Sequence, residues 1–245
     1  MKVRLDERVL ELGLETSRSR AQARIHAGDV RLGDRVLDKP GTQVPSDCQL
    51  EMRERRRFAS RGGDKLLGAL EAFGVDPTGL RCADVGASTG GFTDCLLQHG
   101  AVSVCAIDVG YGQLDGALRN DPRVCVVERT NIRHYTLGDD EPFDLVTADL
   151  SFISLALVLP RIAALAKPGG RLLLLVKPQF ELARGDVGAG GVVRDPALRV
   201  EAARRVRAAA DALGLRLLGE AESVLAGPKG NRERFLLLER PSEGG

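Results

Sequence analysis

The sequence predicts an α/β protein in which a small α+β module precedes a doubly wound, mostly parallel sheet. From residue 64 onward, apolar segments of strand length alternate with helical patterns, which is typical of a parallel sheet covered by helices on both faces. The first 57 residues differ, because two short helical patterns are followed there by the segments of a small sheet. We therefore predict two domains, at residues 1–57 and 64–245, joined by a linker at 58–63.

The amino-terminal domain carries clear helix and turn signals. An amphipathic helix is predicted over residues 5–13, and a second helix begins after the N-cap candidates Thr16 and Ser17. Residues 30–37, with a Gly-Asp pair at their centre, are typical of a hairpin, and a further strand is expected at 49–52. These elements predict one compact module.

The larger domain is predicted to consist of alternating strands and helices. The strands are expected at residues 81–85, 102–108, 124–128, 143–148, 171–176, 216–225 and 234–239. The helices are expected at residues 65–73, 91–99, 155–166 and 196–213. The last two strands are joined through Gly227-Pro228-Lys229-Gly230, which favours an antiparallel pair at the end of the sheet.

The composition is that of a soluble globular protein, with 43% apolar and 28% charged residues in a chain of 245. No apolar run approaches the roughly 18 residues of a membrane-spanning helix, and no secretory signal is visible, so we expect a cytoplasmic protein. The net charge is +3 over residues 1–57 and −2 over the remainder, which is compatible with RNA contact in the first domain without establishing it. The five cysteines form no Cys-x-x-Cys pair, so we predict free, mostly buried thiols and no metal site.

A glycine-rich turn follows the first strand of the larger domain, at Ala83-Asp84-Val85-Gly86-Ala87-Ser88-Thr89-Gly90-Gly91-Phe92. Glycines let the backbone approach a ligand closely, and the helix that follows offers unpaired N–H groups. Asp108 ends the next strand, where such sheets hold a ribose diol. The glycine spacing departs from Gly-x-Gly-x-x-Gly and favours an adenosylmethionine loop over a pyrophosphate loop, with a purely structural turn as the alternative.

Two ionisable side chains close later strands, Asp149 after the fourth and Lys177 after the fifth. Open α/β sheets bind ligands at this edge, although a stabilising ion pair is the alternative. The chain has 29 arginines and only 6 lysines, so a position that needs charge alone would usually be arginine. A lysine shielded from water can release its proton, whereas an arginine cannot. Lys65 and Lys177 are therefore candidates for roles that require an amine.

From residue 2 to residue 240 the chain resembles the TlyA family, in which an S4-type RNA-binding domain is joined to an FtsJ-like ribose methyltransferase. The resemblance rests on residues 4–33, on the glycine-rich turn, and on the segments Ser60-Arg61-Gly62-Gly63-Asp64-Lys65-Leu66, Lys177-Pro178-Gln179-Phe180-Glu181 and Gly190-Gly191-Val192-Val193-Arg194-Asp195. It implies a Rossmann-like class I methyltransferase fold, S-adenosylmethionine as cofactor, and 2′-O-methylation of cytidine in ribosomal RNA. The short stretch before Arg4 resembles the shorter family members, which favours 23S over 16S RNA.

The resemblance also implies the catalytic constellation Lys65, Asp149, Lys177 and Glu233. Lys177 is expected to accept or orient the hydroxyl proton, Asp149 to hold Lys177 and face the sulfonium, and Lys65 and Glu233 to position the ribose. Similar proteins carry an aromatic residue directly after this glutamate, whereas Arg234 stands here, and a shift of one residue in a strand would reverse the facing of Glu233.

The cofactor-binding residues are expected to be Asp84, Gly86, Ser88, Thr89, Gly90, Gly91, Phe92, Asp108, Asn131 and Asp149. Of these, Gly86, Ser88 and Gly90 would approach the methionine part and Asp108 the ribose hydroxyls. Asn131 is a candidate contact to adenine, and a loop-forming asparagine is an equal alternative.

RNA contacts are expected from Arg4, Arg18, Arg20, Arg24, Arg31 and Arg61. Arg20 and Arg24 lie four apart, on one predicted helical face, and a merely solvated charged face is the alternative. Aromatic residues make up only 4% of the chain, so recognition by shape and backbone is expected, and the segment Gly185–Gly191 is predicted to be mobile.

Two other functions remain open from the sequence. One is a catalytically silent RNA-binding factor of ribosome assembly on a methyltransferase scaffold. The other is a membrane-active haemolysin, a label that members of the family sometimes carry, although the chain shows no spanning segment and no strongly amphipathic surface helix. Neither DNA nor a membrane is expected as a partner.

Overall fold

The computed structural model describes residues 1–53, 57–138 and 140–242. The chain divides into two compact units, residues 1–55 and 56–245. The smaller unit contains β1 (Lys2–Arg4), α1 (Leu5–Glu11), α2 (Arg18–His26), β2 (Val30–Leu32), β3 (Arg35–Leu37), β4 (Gln43–Pro45) and β5 (Glu51–Met52).

The smaller unit confirms the predicted helix pair and hairpin. Ser17 caps α2, since its Oγ accepts a hydrogen bond from the backbone N–H of Arg20. β2 lies between β3 and β5 in an antiparallel sheet, and β1 pairs with β4 in a second sheet that the sequence did not predict. β1 and β4 lie far apart in the chain, so no tight turn marks them as a pair in the way that the turn of the hairpin β2–β3 does. Leu5 and Ile25 lie at the centre of the core between helices and sheets.

The larger unit consists of helices and strands that alternate along most of its length. They are α3 (Arg61–Phe73), β6 (Arg81–Val85), α4 (Gly91–Gln98), β7 (Ser103–Ile107), α5 (Gly116–Arg119), β8 (Val124–Val127), β9 (Phe143–Ala148), α6 (Leu155–Leu165), β10 (Ala166–Val176), α7 (Pro178–Glu181), α8 (Pro196–Ala212), β11 (Arg216–Glu222) and β12 (Arg234–Glu239). The sheet order is β11-β12-β10-β9-β6-β7-β8, with β12 antiparallel to both of its neighbours and the remaining pairs parallel. The predicted α/β fold is therefore confirmed.

Alternating side chains of the central strands enter two separate cores, one on each face of the sheet. On β10, Leu172 and Leu174 pack with α6 and α8, whereas Leu173 and Leu175 pack with α3 and α4. This double burial explains the unbroken apolar runs in the sequence. The parallel pairing of β6, β7, β9 and β10 places their carboxyl ends along one edge of the sheet.

Two expectations need adjustment. Residues 58–63, expected as a linker, are integrated into the larger unit, because Phe58 is buried in its core and Arg61 begins α3. Cys125 is exposed rather than buried, since β8 is an edge strand. Among the described residues, no helix combines the length and the apolar character needed to cross a membrane.

Candidate active site

An ion pair joins the second turn of α3 to the residue that precedes β12. Lys65 Nζ lies 2.5 Å from Glu233 Oε2, and both side chains are buried. β10 and β12 run antiparallel with Val176 opposite Arg234, so the residue before β12 lies beside the residue after β10. Gly227 makes room for the carboxylate, because a Cβ there would come within 2.5 Å of Glu233 Oε1. Glu233 therefore faces the site in spite of the change at the following residue.

A second ion pair lies at the carboxyl ends of β9 and β10. Lys177 Nζ is 2.5 Å from Asp149 Oδ1 and donates to Ser151 Oγ at 2.9 Å. The backbone N–H of Asp149 donates to Val85 O at 3.0 Å, which ties this turn to the end of β6. The four predicted catalytic residues are thus arranged as two lysine–carboxylate pairs, and Ser151 is an additional partner that sequence reasoning missed.

Glycines bring α3 close enough to the sheet edge to present Lys65. A Cβ on Gly91 would lie 2.2 Å from Ser60 Oγ and 2.9 Å from the backbone N of Gly63. A Cβ on Gly63 would lie 2.3 Å from the Phe58 ring. The first turns of α3 and α4 therefore pack backbone against backbone. This contact explains the glycines of the junction segment by packing.

A cavity of about 550 Å³ lies beside the ends of β6 and β7. Asp108 lines it, with Oδ2 accepting from the Ser88 N–H at 2.8 Å and Oδ1 from the Gly110 N–H at 2.6 Å. Each carboxylate oxygen keeps a further lone pair for a ligand. Asn131 lines the same cavity, and its Oδ1 accepts from the backbone N–H of Arg133, so it also shapes the local turn.

The glycine-rich turn has distinct roles at its several positions. Gly86 has φ +86°, and a Cβ there would meet the backbone oxygen of Asp149 at 2.6 Å, so it permits the close approach of two strand ends. Gly90 instead packs against Leu114 and Leu118. A second cavity of about 300 Å³ runs along the turn between Lys65 and Lys177, and it is lined by Asp84, Gly86, Ser88, Thr89, Gly91, Phe92 and Asp149.

Asp84 is fully buried beneath this turn. Its Oδ2 accepts from the backbone N–H of Thr93 at 2.9 Å and from Thr93 Oγ1 at 2.7 Å. Burial raises the pKa of the Asp84 carboxyl to about 7, and the nearby charge of Asp149 adds to that effect. The carboxyl anchors the turn to α4 and lines the second cavity.

A third cavity of about 300 Å³ opens on the other side of Lys177. Its walls include Phe152 and Phe180, whose ring centroids are 5.3 Å apart, and Gln179. Phe152 is 92% exposed and has φ +65°, which is unusual for a residue with a bulky side chain. Sequence reasoning missed these side chains, although they lie two or three residues after the strand-end residues Asp149 and Lys177. Ser151 borders all three cavities, so they meet at the Lys177–Asp149 pair.

Asn231 is a further side chain that the sequence did not single out. It is 2% exposed, its Oδ1 accepts from the Val193 N–H at 2.8 Å, and its Nδ2 donates to Gly191 O at 2.8 Å. Asn231 therefore ties the end of the glycine-rich segment to the loop that carries Glu233. Whether residues 185–191 move stays a prediction.

The predicted RNA-binding arginines have different environments within the smaller unit. Arg20 and Arg31 are exposed. Arg24 is buried, with Nε 2.8 Å from Asp29 Oδ2, and it also donates to the backbone oxygen of Arg53. The expectation that Arg20 and Arg24 form one basic surface is therefore corrected, because the Arg24 side chain links α2 to the strand region instead.

Arg4 and Arg18 share a buried carboxylate. Asp6 accepts from Arg4 Nε at 3.0 Å, from Arg18 Nε at 3.1 Å and from Gln22 Nε2 at 2.8 Å. The hydrogen bond from Arg4 lowers the pKa of the Asp6 carboxyl far below its usual value. In the larger unit, the predicted contact Arg61 is exposed and borders the second cavity.

Comparison with known proteins agrees with both units. The family model of FtsJ-like methyltransferases matches residues 58–240 of this sequence, and the family model of the S4 domain matches residues 3–47. The 16S/23S rRNA (cytidine-2′-O)-methyltransferase TlyA of Mycobacterium tuberculosis is 48% identical over 99% of this chain and 91% of its own length. Hemolysin A of Brachyspira hyodysenteriae is 38% identical over 94% of this chain and 97% of its own length. A solved structure of a protein described as a hemolysin, from Streptococcus thermophilus, has a TM-score of 0.74 at 38% identity and covers 98% of this chain and 89% of that one.

Proposed function

The chain belongs to the TlyA family of FtsJ-like methyltransferases, and on that premise we propose that it methylates the ribose 2′-oxygen of a cytidine in ribosomal RNA with S-adenosylmethionine. The observation that carries the proposal is the Lys177–Asp149 pair at the point where the three cavities meet. The 23S RNA is the first target to test and the 16S RNA the second. A ribosomal substrate implies action in the cytoplasm.

The first two cavities fit S-adenosylmethionine. Asp108 has lone pairs left for both ribose hydroxyls, and Asn131 lies further along the same wall. Gly86 and Ser88 line both cavities, where a backbone without large side chains gives room for the methionine part. Asp149 borders both cavities and would face the sulfonium. When bound, S-adenosylmethionine supplies a methyl group that is already strongly electrophilic.

The protein's task is then mainly alignment, together with removal of one proton. Lys177, held by Asp149 and Ser151, orients the 2′-hydroxyl. To act as the base, its ammonium group first releases a proton to solvent. The neutral amine then accepts the hydroxyl proton as the oxygen–carbon bond forms and the carbon–sulfur bond of the methyl donor breaks. Lys65, which lines the second cavity, and Glu233, which lines the third, hold the ribose. Charged groups that are fixed before the reaction need no reorganisation while the methyl group moves.

The third cavity supports a nucleoside substrate. It lies beside Lys177 and is walled by Phe152 and Phe180, whose rings offer faces on which a base turned out of an RNA helix can stack. The exposed arginines Arg20 and Arg31 of the smaller unit are suited to phosphate contacts, which supply affinity without reading sequence.

The test is methyl transfer from labelled S-adenosylmethionine to large and small ribosomal subunits that lack the modification, followed by mapping of the labelled nucleotide. The proposal expects label on a cytidine 2′-oxygen, and loss of that label with Lys177→Ala. Cofactor binding without transfer to either subunit would favour the silent assembly factor. Lysis of vesicles by the purified protein, abolished by changing exposed apolar side chains, would favour the membrane-active alternative.

A further inference from the structure

The third cavity contains a polar side chain whose hydrogen bonding is incomplete. Gln179 is the second residue after Lys177 and lies in α7. Its Oε1 atom is covered by protein and has no hydrogen-bond partner among the described residues. Buried acceptors are nearly always paired in folded proteins, and an unpaired one in a binding cavity indicates a donor that arrives with a ligand.

The same cavity contains a second acceptor of this kind. Glu233 Oε2 is engaged by Lys65, whereas Glu233 Oε1 is buried and has no hydrogen-bond partner within the described parts of the chain. Two acceptors in one wall favour a ligand edge that carries N–H donors and disfavour an edge that carries a carbonyl oxygen. Phe152 and Phe180 form the apolar part of the wall, so the ligand that fits is a flat ring with a donor at its edge.

From this arrangement we propose that Gln179 selects cytosine over uracil at the methylation target by accepting a hydrogen bond from the exocyclic amine of the base. The inference rests on the proposed function, because it takes the third cavity as the seat of the target base. Cytosine carries an amine at the position where uracil carries a carbonyl oxygen. The terminal torsion of glutamine is soft, so Oε1 turns toward a base seated in the cavity at little cost.

A uracil in the same position would place its carbonyl oxygen against Oε1, and neither group could donate. Sites that hydrogen-bond a substrate group discriminate strongly against an analogue that leaves the buried partner unpaired. We expect a preference for cytidine of about tenfold to a hundredfold in kcat/KM, the range that one buried hydrogen bond provides.

The experiment compares two ribosomal substrates after the methylated nucleotide has been mapped. One is the native unmodified subunit, and the other comes from a strain in which that cytidine is replaced by uridine. Gln179→Met keeps the length of the side chain and removes the acceptor. Gln98→Met is the matched control, because Gln98 is exposed at the end of α4 and borders none of the three cavities. Equilibrium binding of labelled S-adenosylmethionine verifies that each variant is folded.

The expected result is a clear cytidine preference in the wild-type protein and in Gln98→Met, with a ratio near unity in Gln179→Met through loss of activity on cytidine. An unchanged ratio in Gln179→Met, or equal activity of the wild-type protein on both nucleotides, overturns the assignment of Gln179 while the methyltransferase proposal stands. A preference for uridine means that the amide presents its NH₂ group, and this also overturns it. Absence of transfer to the native subunit rejects the proposed function and this inference with it.

Discussion

Lys65 and Glu233 are 168 residues apart in the chain, yet Lys65 Nζ and Glu233 Oε2 lie 2.5 Å from each other, with 6% and 0% of their side chains exposed. A buried pair of this kind costs desolvation on both sides, and a hydrophobic pair of similar size usually gives equal or greater stability. The pair is therefore poorly explained as a stabilising element. Lys65 lines the second cavity and Glu233 the third, and a role in substrate binding accounts for the buried pair better.

Variants of the Lys65–Glu233 pair distinguish its effect on the stability of the larger unit from its effect on methyl transfer. We expect Glu233→Ala to lower the free energy of unfolding of the larger unit by about 3–5 kcal/mol, because Lys65 is left buried and unpaired. The double variant Lys65→Met/Glu233→Leu should regain most of that loss and remain inactive. Urea unfolding followed by circular dichroism, together with the transfer assay, provides both values. An active double variant would show that the pair has no part in the reaction.

Lys177 is expected to contribute through its amine. Proton transfer by a positioned side chain contributes about a hundredfold to ten-thousandfold, so kcat should fall by that range in Lys177→Ala. Lys177→Arg should not restore it, because arginine keeps its proton. Retained activity in Lys177→Arg would mean that positive charge alone is needed.

The same two strands supply a matched control for this experiment. Lys167 and Asp144 form an ion pair at the beginning of β10 and β9, whereas Lys177 and Asp149 form theirs at the end. Lys167→Ala removes a lysine from a more exposed ion pair between the same two strands. We expect kcat to stay within about twofold of the wild-type value, because the amino ends of strands lie away from the ligand edge. If kcat fell as far in Lys167→Ala as in Lys177→Ala, the loss in Lys177→Ala would reflect disturbance of the sheet and not a role of the Lys177 amine.

The sequence predicted the inner strands of the larger unit well because β6, β9, β10 and β12 are largely buried on both faces. β6 and β9 have the predicted bounds. β10 begins earlier than predicted, because Ala166 already pairs with Phe143 of β9. The register between the two strands shifts between Ala166 and Arg171, and no sequence pattern predicts this irregularity. The short helix α7 was also missed, because four residues give no helical periodicity.

The site was predicted in part. Strand-end position identifies Asp108, Asp149 and Lys177 by local reasoning, and these residues do line the cavities. Glu233 needed the family resemblance, because only the antiparallel pairing of β12 brings it to that edge. The burial of Arg24 could not be predicted from the sequence. Helical periodicity shows which residues share a face of α2, but it does not show that the Asp29 carboxylate, beyond the end of the helix, pairs with Arg24.

The pH dependence of stability should carry a contribution from Asp84. Burial raises the pKa of this carboxyl from 3.8 to about 7, so between these values the folded protein holds a proton that the unfolded chain has lost. Stability from this group is full below pH 3.8 and is lost as the pH rises toward 7. Asp84→Asn removes the effect and keeps an oxygen that accepts from Thr93.

The comparison requires unfolding curves of both proteins at pH 4 and pH 8. The two free energies of unfolding should be similar at pH 4, and Asp84→Asn should be the more stable protein at pH 8, by at most about 4 kcal/mol. A difference that is constant with pH would show that the Asp84 carboxyl is ionised in the folded protein throughout this range.

Arg20 and Arg24 should give opposite results although they lie one helical turn apart. Arg20 is exposed, so Arg20→Ala should weaken RNA binding, reduce the slope of log affinity against log salt by about 1, and leave stability unchanged. Arg24 is buried against Asp29, so Arg24→Ala should destabilise the smaller unit by about 1–3 kcal/mol. RNA binding measured at several salt concentrations, together with thermal unfolding of each variant, tests both expectations. If Arg24→Ala were as stable as the wild-type protein and had a smaller slope of log affinity against log salt, Arg24 would contact RNA after all.

Asn231 is expected to hold the glycine-rich segment in place over the third cavity. Asn231→Ala leaves the Val193 N–H and the Gly191 carbonyl without partners inside the protein, so the segment should loosen and protease cleavage within residues 184–191 should accelerate. Because the Gly191 end of this segment borders the same cavity as Glu233, the KM for the ribosomal substrate should rise by about tenfold, while the KM for S-adenosylmethionine changes little. Asn120→Ala is the matched control, since Asn120 Nδ2 donates to Gly116 O at 2.8 Å in an exposed turn. Equal protease sensitivity of the two variants would mean that the segment is held by its own turns and not by Asn231.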